Sequence, residues 1–204
     1  MRFLIFFGVV FLSAGCADLF RSEPLRILTL NEFAQAESMC DVALPVQILV
    51  DLPESYSGLG SERIALLLEN REVRYLEGYK WDTSVPLLVR GALVNALNSG
   101  GCFAGAAGVG DSLSSPFRLR AGIRRMHFEQ SEGDPPSVAV ISMDLNLRDF
   151  SRQGGLISRN LFTVREEGNL SSPYALGEAM QKALGRSMRE VVIWCRSVME
   201  RYHP

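Results

Sequence analysis

Histidine is scarce in this chain, and its cysteines lie too far apart to form a metal site. The sequence holds two histidines, His127 and His203, and four cysteines, none of them in a CxxC motif. Neither residue type recurs at the spacing of zinc ligands. The glycines between residues 100 and 110 lack the Gly-Lys-Ser/Thr of a phosphate-binding loop. We therefore expect neither a metal ion nor a cofactor.

The sequence also lacks a strong net charge and an apolar run long enough to cross a membrane. Lys and Arg number 21 and Asp and Glu 23, which gives a net charge of -2. This balance does not indicate a nucleic-acid partner. The apolar run Phe3–Leu12 is only ten residues long, whereas a transmembrane helix needs roughly 17–25.

This short run is instead typical of an export signal. Arg2 supplies a positive charge before it, and the small residues Ser13-Ala14-Gly15 follow it, directly ahead of Cys16. Ala-Gly-Cys resembles a bacterial lipobox, in which the cysteine thiol takes a diacylglycerol and becomes the mature N-terminus. The alternative is an ordinary signal peptide cleaved after Ala17. We predict a lipoprotein signal peptide over residues 1–15, a lipidated tether over 16–24 and a single domain over 25–204.

The residue after a lipidated cysteine directs sorting in the lipoproteins that this segment resembles. An aspartate there retains the protein on the inner membrane, and here the residue is Ala17, with Asp18 one position later. This implies a lipid anchor on the periplasmic face of the outer membrane. The alternative is the outer leaflet of the inner membrane.

Three cysteines remain after Cys16. Cys195 falls on the apolar stripe of a predicted helix, where it packs as a small hydrophobic residue. Cys40 and Cys102 lie in sequence typical of loops, and the expected compartment is oxidising. We therefore expect a disulfide between Cys40 and Cys102.

Hydrophobic periodicity predicts an α+β fold. A helix begins near Pro86 and ends at Gly100-Gly101, and a longer helix begins at Ser172-Pro173. Alternating apolar residues predict strands over 25–30, 45–52, 63–68, 72–79, 117–128, 138–147 and 156–164. Helices that follow groups of strands indicate a two-layer sandwich, with a mainly antiparallel sheet and two helices packed on one face.

The clearest catalytic motif is Gly110-Asp111-Ser112-Leu113, which matches the serine block of the GDSL esterases. Those enzymes carry this block near the mature N-terminus and an Asp-x-x-His near the C-terminus. Here the block is in the middle of the chain, and the tail reads Glu200-Arg201-Tyr202-His203. A short match needs its structural context, so we expect a polar loop and no enzymatic activity.

Two clusters of side chains are candidates for a partner interface. Arg118, Arg120 and Arg124 share one side of a predicted strand, where they can meet acidic loops or lipid headgroups. The alternative is a solvated sheet face whose arginines pair with neighbouring acids.

The second cluster is aromatic. Tyr75, Tyr79 and Trp81 share strand parity, so they can rim an interface or close the core beside the first helix.

The order of these segments resembles the ABC-type transport auxiliary lipoproteins, including the paraquat-inducible C-type lipoproteins. The resemblance covers roughly residues 25–196. The segments that carry it are Val46-Gln47-Ile48-Leu49-Val50, Arg63-Ile64-Ala65-Leu66, Val73-Arg74-Tyr75, Lys80-Trp81, Asn95-Ala96-Leu97, Phe117-Arg118-Leu119-Arg120, Phe128-Glu129, Met143–Asp149 and Ala179–Trp194. Residues 100–115 depart from the family in their glycine and serine content, which leaves a strand there in doubt.

The resemblance implies a non-enzymatic docking subunit at the outer membrane. Its implied partners are a mammalian-cell-entry domain protein and the permease and ATPase subunits of an ABC system that moves phospholipids or sterol-like lipids between the two membranes. The family supplies no catalytic residues, and a homo-oligomer is left open. The alternative function is a stand-alone lipid-binding lipoprotein of envelope assembly, and the third is the esterase.

Overall fold

The strands and helices follow one another in nearly the order that the sequence predicts. The computed structural model describes residues 24–30, 38–56, 58–130, 135–152, 155–168 and 171–202. Within these ranges the elements are β1 (Arg26–Leu28), β2 (Leu44–Val50), β3 (Glu54–Ser55), β4 (Arg63–Leu68), β5 (Val73–Trp81), α1 (Val85–Ser99), β6 (Phe103–Gly108), β7 (Phe117–Gln130), β8 (Val138–Asp149), β9 (Gly155–Glu167) and α2 (Pro173–Tyr202). The predicted signal peptide, Cys16, Ala17 and His203 lie outside the described residues.

The sheet is organised around the long strand β7, and it includes all nine strands of the described ranges. On one edge β7 pairs with antiparallel β8, which pairs in turn with antiparallel β9. On its other edge the short parallel strands β2, β3 and β4 follow one another along its length. β6 extends the sheet beyond β2, while β5 and β1 extend it beyond β4. The longest pairings are therefore antiparallel within a mixed sheet.

The two helices cover one face of this sheet, here called the inner face; the opposite face is the outer face. α1 packs against β6, α2 packs against β9 and β8, and the helices touch each other. The predicted apolar stripe of α2 is buried from Leu176 to Cys195, because residues three and four apart share one side of a helix. A single core cluster joins the helices to the sheet. The predicted α+β two-layer sandwich is confirmed.

The two helices begin differently, although a serine precedes each of them. The Ser172 hydroxyl accepts a hydrogen bond from the backbone N–H of Ala175 at 3.1 Å, and Pro173 is the first helical residue of α2. Ser84 holds the same position before α1, but its side chain makes no capping hydrogen bond. Only Ser172 therefore satisfies a free backbone amide at the start of its helix.

Strand β6 was not predicted, because its sequence, FAGAAG, has almost no large side chain. The small residues allow α1 to lie directly against the strand. The Asn98 side chain of α1 accepts a hydrogen bond from Ala106 N at 2.8 Å and donates one to Ala106 O at 2.9 Å. The strand that the sequence left in doubt between residues 100 and 115 is therefore present as β6, since tertiary packing here outweighs low strand propensity.

A disulfide between Cys40 and Cys102 ties the segment before β2 to the start of β6. The Arg196 guanidinium of α2 donates to the carbonyl oxygens of Val42 and Cys102 at 2.7 and 3.1 Å. Met39 N also donates to Gly100 O at 2.9 Å. The segment is thus held to the helix layer by hydrogen bonds as well as by the disulfide.

Candidate functional site

The three predicted arginines of β7 lie together on the outer face of the sheet. The side chains of Arg118, Arg120 and Arg124 are 33%, 51% and 45% exposed, while Leu119 and Ile123 between them are buried in the core. Strand alternation explains this division, because successive side chains point to opposite faces. The outer face is the side that neither α1 nor α2 covers.

A β-bulge enlarges this basic surface. Ile123 pairs with Met143, but the next pair joins Arg125 to Ser142, so Arg124 is the extra residue. Arg124 and Arg125 are both exposed, and Met126 after them returns to the core. The sequence signal is a change of parity: the buried hydrophobic residues of β7 are odd-numbered before the bulge and even-numbered after it.

Asp51, directly after β2, contacts the first two arginines. Arg120 Nε donates to Asp51 Oδ2 at 2.8 Å, and Arg118 Nη1 lies 3.9 Å from Asp51 Oδ1. Pattern alone does not find this partner, because Asp51 lies outside β7 and 69 residues before Arg120. The alternative in which the arginines pair with neighbouring acids therefore describes the local chemistry.

Asp144 of β8 holds the third arginine. Its side chain is only 8% exposed, and its Oδ2 lies 3.2 Å from Arg124 Nη2 and 3.6 Å from Arg159 Nη2. Gly122, opposite on β7, leaves the space that this carboxylate fills. A methyl group on Gly122 would collide with Asp144 Oδ1 and approach the Tyr56 ring.

Aromatic rings hold the same guanidinium groups from a second direction. The Phe150 ring centroid lies 4.5 Å from Arg118 Cζ and 5.7 Å from Arg120 Cζ. Tyr56 lies 5.8 Å from Arg124 Cζ. Cation–π contacts of this kind stabilise an exposed arginine by about 0.5–1 kcal/mol each. The guanidinium groups are thus held on the outer face by carboxylates and aromatic rings together.

A small cavity of about 330 Å³ opens in the middle of this surface. Asp51, Arg120, Asn146 and Asp144 are among its lining residues, and Tyr56 forms part of its wall. Arginine and aromatic side chains are enriched at protein–protein interfaces. The lining holds three acids, Asp51, Glu54 and Asp144, and two arginines, Arg120 and Arg148, so this part of the outer face can contact polar groups of either charge.

The electrostatics change toward the other end of β7. The two terminal guanidinium nitrogens of Arg165, Nη1 and Nη2, donate to the Glu129 carboxylate and lower its pKa. His127 Nε2 lies 4.0 Å from Glu129 Oε1, but burial of the imidazole outweighs this attraction and lowers the His127 pKa. His127 is therefore a neutral, largely buried residue at neutral pH.

The predicted aromatic cluster is divided by the structure. Trp81 is 1% exposed and belongs to the core, so its side chain is not available at the surface. Tyr75 and Tyr79 are half-buried and line a cavity of about 930 Å³. The cause is a break in the β4–β5 register, where Gly78 has a φ of 74° and the shared parity of the three residues is lost.

Arginines also accompany these two tyrosines. The Arg63 Cζ lies 3.5 Å from the Tyr75 ring centroid, and Arg26 Nη1 donates to the Tyr79 hydroxyl at 3.2 Å. Lys80, on the rim of the same cavity, bonds Glu62 at 2.6 Å. Two cavities are lined by residues that the sequence singled out, and this one is the larger.

The GDSL-like block forms the turn after β6. Asp111 Oδ2 accepts a hydrogen bond from Gly108 N at 2.9 Å, Gly110 has a φ of 105°, and Ser112 is exposed. His127, the one histidine among the described residues, lies near the opposite end of β7, about 30 Å along the strand at ~3.3 Å per residue. Asp111 thus has a structural role in this turn, and the absence of enzymatic activity stays a prediction.

Neither a membrane span nor a metal cluster is found in the part of the chain that the structure describes. Its helices are not both long and apolar enough to cross a bilayer. Its His, Cys, Asp and Glu side chains do not gather in groups of three suited to a metal ion.

Comparison with known proteins shows a shared fold. No family model and no curated protein matches the chain. The crystal structure of a Xanthomonas campestris protein, described as DUF330, matches with a TM-score of 0.70 at 21% identity and covers 87% of this chain and 95% of that one. An uncharacterised protein matches at 0.64 and 13% identity over 85% and 99% of the two chains.

A hypothetical protein of Chlamydia trachomatis matches with a TM-score of 0.50 at 10% identity, over 76% of this chain and 98% of that one. At such low sequence identities the similarity concerns the fold alone, because one fold can carry many functions. The chain is thus similar in fold to the DUF330 protein over nearly all of that protein's length.

Proposed function

We propose that this chain is a lipid-anchored periplasmic protein and a non-enzymatic docking subunit of an ABC-type lipid transport system that uses mammalian-cell-entry domain proteins. The anchor is a diacylglycerol on Cys16, and Ala17 after it directs the protein to the periplasmic face of the outer membrane. Each buried acyl methylene contributes about 0.8 kcal/mol, so two or more chains on one residue hold the protein firmly.

The observation that carries the docking role is the arginine-lined outer face. The sheet leaves this face uncovered by helices, and each of the three arginines contacts both a carboxylate and an aromatic ring. Ordering a long side chain on binding costs about 0.5–1.5 kcal/mol. Groups that are already oriented avoid most of that cost, which favours docking.

Tethering adds to such an interaction. A partner assembly that is itself bound to a membrane meets a tethered domain at high effective concentration, so a modest interface is sufficient. ATP hydrolysis by another subunit would supply the energy of transport. This is in keeping with the non-enzymatic role predicted for the chain.

The test is co-purification from native membranes in mild detergent, followed by mass spectrometry. The wild type is compared with Arg120→Glu/Arg124→Glu, which reverses two charges on the outer face. Arg189→Glu is the control for location, since it reverses one exposed charge on α2, in the opposite layer.

The wild type and the control are expected to recover a mammalian-cell-entry protein with its ABC subunits, and the double variant to lose them. Equal recovery with all three proteins would place the interface elsewhere. A wild type that recovers no transporter subunit would remove the proposal.

A stand-alone lipid-binding protein is the second candidate, and the 930 Å³ cavity at Tyr75 and Tyr79 favours it. Binding sites for small ligands commonly have volumes of about 300–1,000 Å³. Native mass spectrometry of the purified protein would show a bound lipid if this role is correct. A bare protein that co-purifies with transporter subunits would favour the first candidate.

A further inference from the structure

An exposed apolar patch surrounds β1. Leu25, Ile27 and Tyr174 are 59%, 57% and 79% exposed. Ile27 and Tyr174 line one cavity of about 520 Å³ between β1 and the start of α2, and Leu25 lines the neighbouring cavity at Tyr79. Large apolar side chains scattered singly over a surface are ordinary, but a group of them marks an interaction site.

The rim of the patch has long cationic side chains as well as acidic ones. Lys80 and Lys182 line the two cavities, and each is bonded to a glutamate, Glu62 at 2.6 Å and Glu178 at 2.9 Å. Lysine can bury its aliphatic stem while the ammonium group stays in water. Tyrosine similarly places its ring at the level of lipid headgroups.

The length of the tether limits which part of the domain can reach the membrane. Nine peptide steps separate Cys16 from Leu25, so the fully extended chain spans at most about 31 Å at ~3.4 Å per residue. A folded domain of this size has a radius of gyration of about 16 Å, and hence a diameter of about 40 Å. A tether shorter than the diameter prevents the domain from turning Leu25 to the side farthest from the bilayer.

We propose that the patch of Leu25, Ile27 and Tyr174 lies on the lipid surface of the membrane that anchors the chain. This inference rests on the proposed lipidation of Cys16. The apolar residues enter the headgroup region, Lys80 and Lys182 stay at its aqueous edge, and the domain keeps one orientation to the bilayer.

Tryptophan fluorescence on vesicles tests the orientation. Lipidated protein is purified from membranes and reconstituted into phosphatidylethanolamine–phosphatidylglycerol vesicles, with or without brominated acyl chains that quench nearby tryptophan. Tyr174→Trp reports on the patch. Ile193→Trp is the matched control, because Ile193 is also exposed (59%) and lies on the same helix, about 28 Å away at ~1.5 Å per residue.

The emission of wild-type protein, from Trp81 and Trp194, is subtracted from both variants. We expect brominated lipid to remove most of the emission added by Tyr174→Trp and little of that added by Ile193→Trp. Equal quenching, no quenching, or stronger quenching at Ile193→Trp, in protein that floats with the vesicles, would overturn the orientation and leave the anchor standing. Protein that does not float would overturn the lipidation of Cys16, and this inference with it.

Discussion

Reduction of the Cys40–Cys102 disulfide is expected to lower the stability of the domain strongly. The bond closes a loop with a sequence separation of 62 residues. The chain-entropy relation gives about 14 cal/mol/K for a loop of that length, or about 4 kcal/mol at 25 °C. For a domain of this size, such a loss lowers the melting temperature by about 8–16 °C.

The effect arises mainly in the unfolded chain. In the folded state Arg196 binds the carbonyl groups of Val42 and Cys102, so the loop has partners that do not depend on the bond. We therefore expect reduced protein to keep its fold and to unfold at lower urea concentration with a similar transition. Cys40→Ala/Cys102→Ala should resemble the reduced wild type, with an added penalty for the lost side-chain volume at buried Cys102.

Urea unfolding with and without a phosphine reductant measures this difference. The reductant should shift the wild type and leave the double variant unchanged. Cys195→Ala is the control: Cys195 is free and buried, and burial raises the pKa of its thiol above the range of ordinary thiols. The Cys195→Ala variant keeps the Cys40–Cys102 disulfide, so its unfolding should shift with reductant as that of the wild type does. An unshifted wild type whose Cys40 and Cys102 both react with an alkylating agent would refute the reasoning.

Three further predictions concern single side chains. Gly122→Ala should lower the free energy of unfolding by about 1–3 kcal/mol, because its methyl group collides with the Asp144 carboxylate. Gly91→Ala, whose methyl group enters open space beside α1, should raise it by about 0.5–1 kcal/mol. Urea unfolding of both variants measures the difference. Ser172→Ala should lower the free energy of unfolding by about 1 kcal/mol. Ser84→Ala should lower it much less, because only Ser172 caps its helix. Burial lowers the pKa of His127 in the folded state. The free energy of unfolding of the wild type should therefore be constant above the imidazole pKa of the unfolded chain, about 6.5, and decline as the pH falls below it. His127→Gln, measured by urea unfolding from pH 7.5 to 5.5, should lose this decline.

Local patterns predicted most of the secondary structure, since each element buries one side. The apolar positions of α2 recur at three and four residues, and those of β8 alternate, so both elements were found from the sequence. Strand β6 was missed for the opposite reason. Its alanines and glycines contain no periodic signal, and only the contact with Asn98 and the pairing with β2 make them a strand.

The candidate site was predicted only in part. The sequence placed Arg118, Arg120 and Arg124 on one side of a strand, because parity is a local property. It could not assign Asp51 to the first two of them, since that carboxylate follows β2 and lies 69 residues before Arg120. It also placed Trp81 with the two tyrosines, and the irregular β5 separates them.

The sequence by itself therefore determined the α+β class, the helix stripes and the basic side of β7, all of which depend on residues within a few positions of one another. Only the tertiary structure decided which carboxylates hold the arginines, that β6 is a strand, and that Leu25, Ile27 and Tyr174 form one exposed patch. Those features depend on contacts between residues far apart in the chain, and periodicity has no information about such contacts. The physical reason is that local side-chain pattern selects an element, whereas the packing of elements selects its neighbours.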